Sequence, residues 1–160
     1  MRPYRDIATL AAAQVICFLA LTHMEPGFFL LHFYQAVMYM AILIMLFYME
    51  DRWAYMLGML APAVWLGLAY ATGMLGAGMR QLGQLAKLHA PTNFASFMGA
   101  VSAVLAVLMI AFNGRHWKRE YAGLPKGLST FLVSLGIVAI YYLVLVIWFW
   151  NMIPRVTTSN

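Results

Sequence analysis

Charge is what this 160-residue sequence has least of: five acidic and ten basic residues amount to 9% of the chain, against 64% apolar and aromatic. A soluble domain of this length covers its surface with far more ionised side chains, so a soluble enzyme and a disordered tail are both excluded. Cysteine is nearly absent as well. Cys17 stands alone inside an apolar run, which rules out an intrachain disulfide and a cysteine-rich metal or redox motif and leaves a small buried hydrophobe. There is no H-E-x-x-H, no C-x-x-C-H and no serine with a histidine and an aspartate at membrane depth, so the sequence offers no catalytic constellation. Internal repeats and low-complexity tracts are missing too, and residues 1–160 read as one domain.

What fills the sequence is apolar. Mean hydropathy is +0.80, and five apolar stretches run over roughly residues 7–22, 27–49, 53–79, 94–113 and 128–153. A helix rises about 1.5 Å per residue and needs about 20 residues to cross about 30 Å of hydrocarbon. Four stretches reach that length and the first is short. The expected fold is all-α: a polytopic bundle of five transmembrane helices with short loops. Glu25-Pro26-Gly27 marks a tight reversal and Glu50-Asp51-Arg52 a second break. Near residues 80–90, Leu82, Leu85 and Leu88 share one helical face and Arg80, Gln84 and Lys87 another, the pattern of a short interfacial helix. Thr92 or Asn93 can cap the next helix. Residues 114–127 read as a strongly cationic loop.

Basic residues also give an orientation. With the amino terminus in the cytoplasm, Arg2, Arg5, Arg52, Arg115, Lys118, Arg119 and Lys126 fall inside and Arg80, Lys87 and Arg155 outside, as the positive-inside rule requires. The carboxyl terminus is then outside, in what reads as a bacterial inner membrane. Arg115, Lys118, Arg119 and Lys126 are expected to contact anionic lipid or an acidic partner surface, with no role for nucleic acid.

No Asp, Glu, Lys or Arg interrupts the five stretches. Charges at mid-membrane are costly and kept for ion or proton paths, so a pump, a cation-coupled transporter or a voltage sensor built from this chain alone is disfavoured. The polar groups that do lie within the stretches are therefore informative. His32, Gln35 and Tyr39 follow i, i+3, i+7 spacing and share a face that should turn away from lipid. His23, Glu25 and His89 fall on the same outer side. An imidazole there could bind a haem iron or the magnesium of a chlorophyll-type pigment, or hydrogen-bond a quinone; His32, Gln35, Tyr39 and His23 are the candidate cofactor contacts. Gln14 and Asn113 read as interhelical hydrogen-bonding groups, Pro62 as a kink in the third helix, and Ala95, Gly99, Ala103 and Ala106 as a close-packing stripe. Functionally, the expectation is a non-catalytic membrane subunit, possible company being a respiratory or photosynthetic electron-transfer assembly with other membrane subunits. A haem, pigment or quinone binder using His32 is the alternative, and a small oligomeric transporter or channel the third.

Overall fold

The computed structural model describes residues 5–48, 51–121 and 127–149, and among them there is no strand. Six α-helices follow one another: α1 (Arg5–Met24), α2 (Phe29–Phe47), α3 (Asp51–Ala71), α4 (Met74–Ala86), α5 (Phe94–Glu120) and α6 (Gly127–Phe149). Five of them, all but α4, are long and apolar enough to cross a membrane. A short 3-10 turn, Pro26–Phe28, makes the reversal between α1 and α2, where a proline can occupy the first turn because its missing N–H would be unpaired there in any case.

Two boundaries differ from the sequence expectation, for identifiable reasons. The third apolar stretch continues to residue 79, but α3 stops at Ala71. Gly73 adopts φ +77°, a left-handed conformation that side chains resist, and Thr72 Oγ1 donates to the carbonyl of Leu68 at 2.9 Å. Because Met74, Leu75 and Ala77 keep the run apolar, hydropathy carries no trace of this break. The short helix accordingly spans Met74–Ala86 rather than 80–90. The second difference lies in the cationic segment: α5 runs on to Glu120, so Arg115, Lys118 and Arg119 ride on helix and not on a loop. Lys126 lies outside the described residues.

Helix ends are closed in different ways. Asn93 caps α5 by accepting from Ser96 N at 2.9 Å, while Thr92 N donates to Gln81 of α4 at 3.0 Å. At the end of α4, His89 N reaches Gln84 O and Leu88 N reaches Leu85 O, the paired closure of a Schellman motif. The residue in its left-handed position is Leu88, φ +60°, where glycine is usual.

The interior is aromatic at its centre. Phe18 of α1 stacks on Tyr39 of α2 at 5.6 Å and meets Trp65 of α3 edge-on at 5.8 Å. Such pairs add roughly 0.5–1.5 kcal/mol beyond area burial. The mid-helix Trp65, out of place as an interfacial anchor, is thereby explained as core. Close backbone approach occurs at two glycines. A Cβ on Gly78 would lie 2.9 Å from Ala100 Cβ, so α4 rests directly on α5; of the expected small-residue stripe on α5, Ala106 is fully buried, but this contact is made one position past Gly99.

The second glycine belongs to a three-residue lock. Pro62 has no N–H to give the carbonyl four residues earlier, that of Gly58. Asn113 of α5, fully buried, donates from Nδ2 to Gly58 O at 3.4 Å and to Met109 O at 2.7 Å. Only glycine admits the amide so close, since a Cβ on Gly58 would stand 2.6 Å from Asn113 Oδ1. The proline thus creates an acceptor on α3, the glycine clears the way to it, and the asparagine fills it.

α6 lies mainly against α3, with a smaller contact to α2. That contact is a reciprocal pair: Tyr34 Oη donates to the carbonyl of Tyr141 at 3.2 Å, Tyr141 Oη donates to the carbonyl of Tyr34, and the two rings stack 4.2 Å apart.

Candidate functional site at the Glu25–His32 end

The end of α1, the start of α2, the α3–α4 turn and the start of α5 meet around a cavity of about 150 Å³. Glu25 and His32 form one part of its wall, with Phe28, Leu31 and Leu21 beside them; Thr72, Gly73 and Met74 come from the α3–α4 turn, and Asn93 and Ser96 from the head of α5. The break between α3 and α4 described above thus borders this space through Thr72, Gly73 and Met74.

Within the cavity wall, His32 Nε2 lies 2.9 Å from Glu25 Oε2. A carboxylate only accepts, so Nε2 carries the proton in this bond. His32 is 3% exposed, whereas the Glu25 side chain is 38% exposed; the histidine is the buried anchor and the carboxylate the accessible member. Phe28 meets the imidazole ring edge-on at 6.5 Å. Nδ1 of His32 is buried without a hydrogen-bond partner.

The sequence-derived stripe is buried as a whole, His32, Gln35 and Tyr39 all turning inward, but it does not converge on one site. His32 alone lines the cavity. Gln35 lies a turn deeper, and Tyr39 is fully enclosed beside Phe18. Tyr39, Gln14 of α1 and Tyr142 of α6 approach one another in the interior, without completing hydrogen bonds of good geometry. His23 is exposed and does not line the cavity, and neither does His89, which is exposed in the α4–α5 connection. Of the four polar groups assigned to that side, the fold joins two.

A second histidine–carboxylate group, whose cross-helix pair spacing along the chain could not reveal, closes the opposite end of the bundle. His116 of α5 is buried, with Nε2 3.1 Å from Asp6 Oδ2 of α1 and Nδ1 3.5 Å from Glu120 Oε1. Tyr55 of α3 lies against its ring at 5.5 Å. These contacts put the start of α1, the start of α3 and the end of α5 at one end, away from Glu25, Thr72 and Asn93. Asp6 and His116 are 110 positions apart, so only the tertiary fold pairs them. Among the described residues, no group of three or more His, Cys, Asp or Glu side chains is placed to hold a metal ion.

The geometry discriminates among cofactors. A macrocyclic haem or chlorophyll does not fit: Nε2 of His32 is engaged by Glu25, Nδ1 is enclosed, and the cavity is below the roughly 300 Å³ at which pockets for drug-sized molecules begin. A single six-membered ring does fit, since an apolar cavity of about 150 Å³ is known to hold benzene. The wall is part apolar and part hydrogen-bonding, which suits a ring bearing oxygen substituents. No family model, curated protein or solved structure matches the chain.

Proposed function

We propose that the chain is an integral protein of a bacterial inner membrane, crossing it five times, and that it binds a single-ring quinone-type ligand in the Glu25–His32 cavity without catalysing a reaction of its own. The observation that carries the ligand reading is the pairing of a buried histidine with an accessible carboxylate on the wall of a ring-sized space. His32 engages Oε2, which leaves Oε1 of Glu25 as the acceptor for a hydroxyl of the ligand's reduced, quinol form. Leu21, Leu31 and Met74 cover the faces of the ring, and Ser96 and Asn93 offer polar contact at its edge. A quinone bound there would supply electron carriage to an assembly around it. The test is thermal unfolding of the purified protein in mild detergent with a short-chain quinol added. Wild type should gain stability with concentration, by about 2.7 kcal/mol at a hundred times the dissociation constant, and Glu25→Gln should lose most of that gain. An equal gain in Glu25→Gln would sink the reading.

A second reading, a subunit of a larger membrane complex, is favoured by how short the described connections between helices are: Glu25 with the 3-10 turn, Thr72–Gly73 and residues 87–93. Partners retained through purification in mild detergent would support it, and a monodisperse single-chain species under the same conditions would oppose it.

Orientation is proposed with the amino terminus inside. Among the described residues, Arg5, Arg52, Arg115, Lys118 and Arg119 belong to the His116 end and Arg80 and Lys87 to the Glu25 end, the asymmetry that sets topology. Cysteine introduced at Tyr121 should be labelled by an impermeant reagent only from the cytoplasmic side, and cysteine at His89 only from the other; the native Cys17 is buried and gives little background.

A further inference from the structure

We infer that the last two turns of α5 form a docking face for anionic phospholipid headgroups, built by Arg115, Lys118 and Arg119. The inference is independent of the quinone reading. α5 has 27 residues, about 40 Å of helix, whereas the hydrocarbon layer takes about 30 Å and the whole bilayer with headgroups about 40–45 Å. If Phe94 stands at one hydrocarbon boundary, the helix leaves the other near Asn113, and the residues after it travel through the phosphate layer.

Side-chain direction over these turns is divided. Asn113 and His116 point inward, to Gly58 and to Asp6. Arg115, Lys118 and Arg119, spaced i, i+3, i+4, share the opposite face, spanning roughly a 100° arc, and all three are exposed. The described acidic groups of this end turn toward other partners: the partly exposed Asp6 and Glu120 reach back to His116, and the negative charge of Asp51 falls near Tyr55. Among the described residues, the cationic face therefore carries three cations against one accessible carboxylate, that of Glu120, which is turned toward His116. Trp117 lies beside the cationic arc, half-buried against Tyr121 at 5.2 Å, and at the same end the guanidinium of Arg52 sits over the Trp53 ring at 5.2 Å. Indole rings at the level of the headgroups mark the boundary depth.

Phosphate is the chemistry that completes this face. Arginine forks match phosphate oxygens in pairs, and a polybasic segment next to a membrane span is attracted to anionic lipid with a strength that adds over its cations. The consequence is a leaflet-specific grip: α5 is held at its cytoplasmic end by headgroups, with its inward face free to keep Asp6 and Gly58.

The experiment measures lipid preference directly. Wild-type protein is reconstituted in vesicles of phosphatidylcholine and phosphatidylglycerol, one or the other lipid carrying brominated chains that quench tryptophan, and the relative binding constant is read from the quenching. Wild type should favour phosphatidylglycerol. The triple variant Arg115→Gln, Lys118→Gln, Arg119→Gln should lose the preference, by about fivefold for each neutralised cation and about a hundredfold in all. The preference should also collapse in about 1 M salt, where screening acts within about 3 Å. Arg80→Gln with Lys87→Gln, at the other end, should leave it unchanged. Equal lipid preference in wild type and the triple variant overturns the inference, as does an equal loss in the Arg80, Lys87 variant. Near-UV circular dichroism of the triple variant matching wild type shows that the bundle is intact, so the readout reports the headgroup contact.

Discussion

Replacing Asn113 tests whether the Pro62–Gly58–Asn113 lock is a hydrogen-bond repair or only tight packing. In Asn113→Ala, the carbonyl of Gly58 has no donor left: Pro62 cannot supply one, and the 3.4 Å bond from Nδ2 is gone. An unpaired buried acceptor costs about 1–3 kcal/mol, and interhelical hydrogen bonds measured within membranes average about 0.6 kcal/mol with a maximum near 1.7. A bond as long as this belongs toward the lower part of that range, so about 1 kcal/mol is assigned to the carbonyl and a further fraction to the space left by the amide. The second arm removes the cause: Pro62→Ala restores the backbone N–H to Gly58 O. In that background Asn113→Ala should cost about 1 kcal/mol less than in wild type, because the carbonyl no longer needs the asparagine. Unfolding by denaturing detergent, followed by tryptophan fluorescence over all four proteins, gives the coupling energy. If Asn113→Ala costs the same in both backgrounds to within about 0.5 kcal/mol, which is the scatter of independent sites, the asparagine acts by packing alone and the repair argument is refuted.

Gly58→Ala should destabilise by about 1–3 kcal/mol through overlap with the Asn113 amide, and adding Asn113→Ala should recover much of that loss in the same unfolding assay. Leu88→Gly should raise the stability of the α4 end by up to about 1 kcal/mol, since it removes a side chain from a left-handed position; slower amide exchange at Leu88 and His89 checks it, and faster exchange would contradict it. Tyr141→Phe deletes a donor to the Tyr34 carbonyl and should cost about 0.5–1.5 kcal/mol, seen as a lower unfolding midpoint with near-UV circular dichroism of the rest of the bundle preserved.

The five long apolar helices could be read from the sequence because a helix able to cross a membrane must be an unbroken apolar run that satisfies its own backbone, and such a run leaves a plain compositional trace. The inward turn of His32, Gln35 and Tyr39 was legible for the same reason: polar groups seven residues apart on one face have one direction in which to find partners. What hydropathy could not report was the end of α3, because a single φ at Gly73 breaks the helix without changing the apolar character around it. The cationic segment misled in the opposite sense, charge suggesting a loop where Arg115, Lys118 and Arg119 are good helix formers on a helix that runs on past its apolar stretch. Pairings such as Asp6 with His116, or Tyr34 with Tyr141, depend on which helices become neighbours, and no periodicity within one helix contains that information.

The placement of α6 bears on how the chain is built. α1 packs on α2 and α5, α3 packs on α2, α5 and α6, and α4 lies on α5, while α6 turns Val138, Tyr142 and Leu145 into the core and keeps Phe131, Ile140 and Ile147 on its outer side. What α6 adds is closure on one side: Val138, Tyr142 and Leu145 cover an interior that Tyr39 and Gln14 would otherwise leave open, while its opposite side stays bare. The α3 flank of the bundle is thus finished by a single helix, tied to α2 through one tyrosine seam.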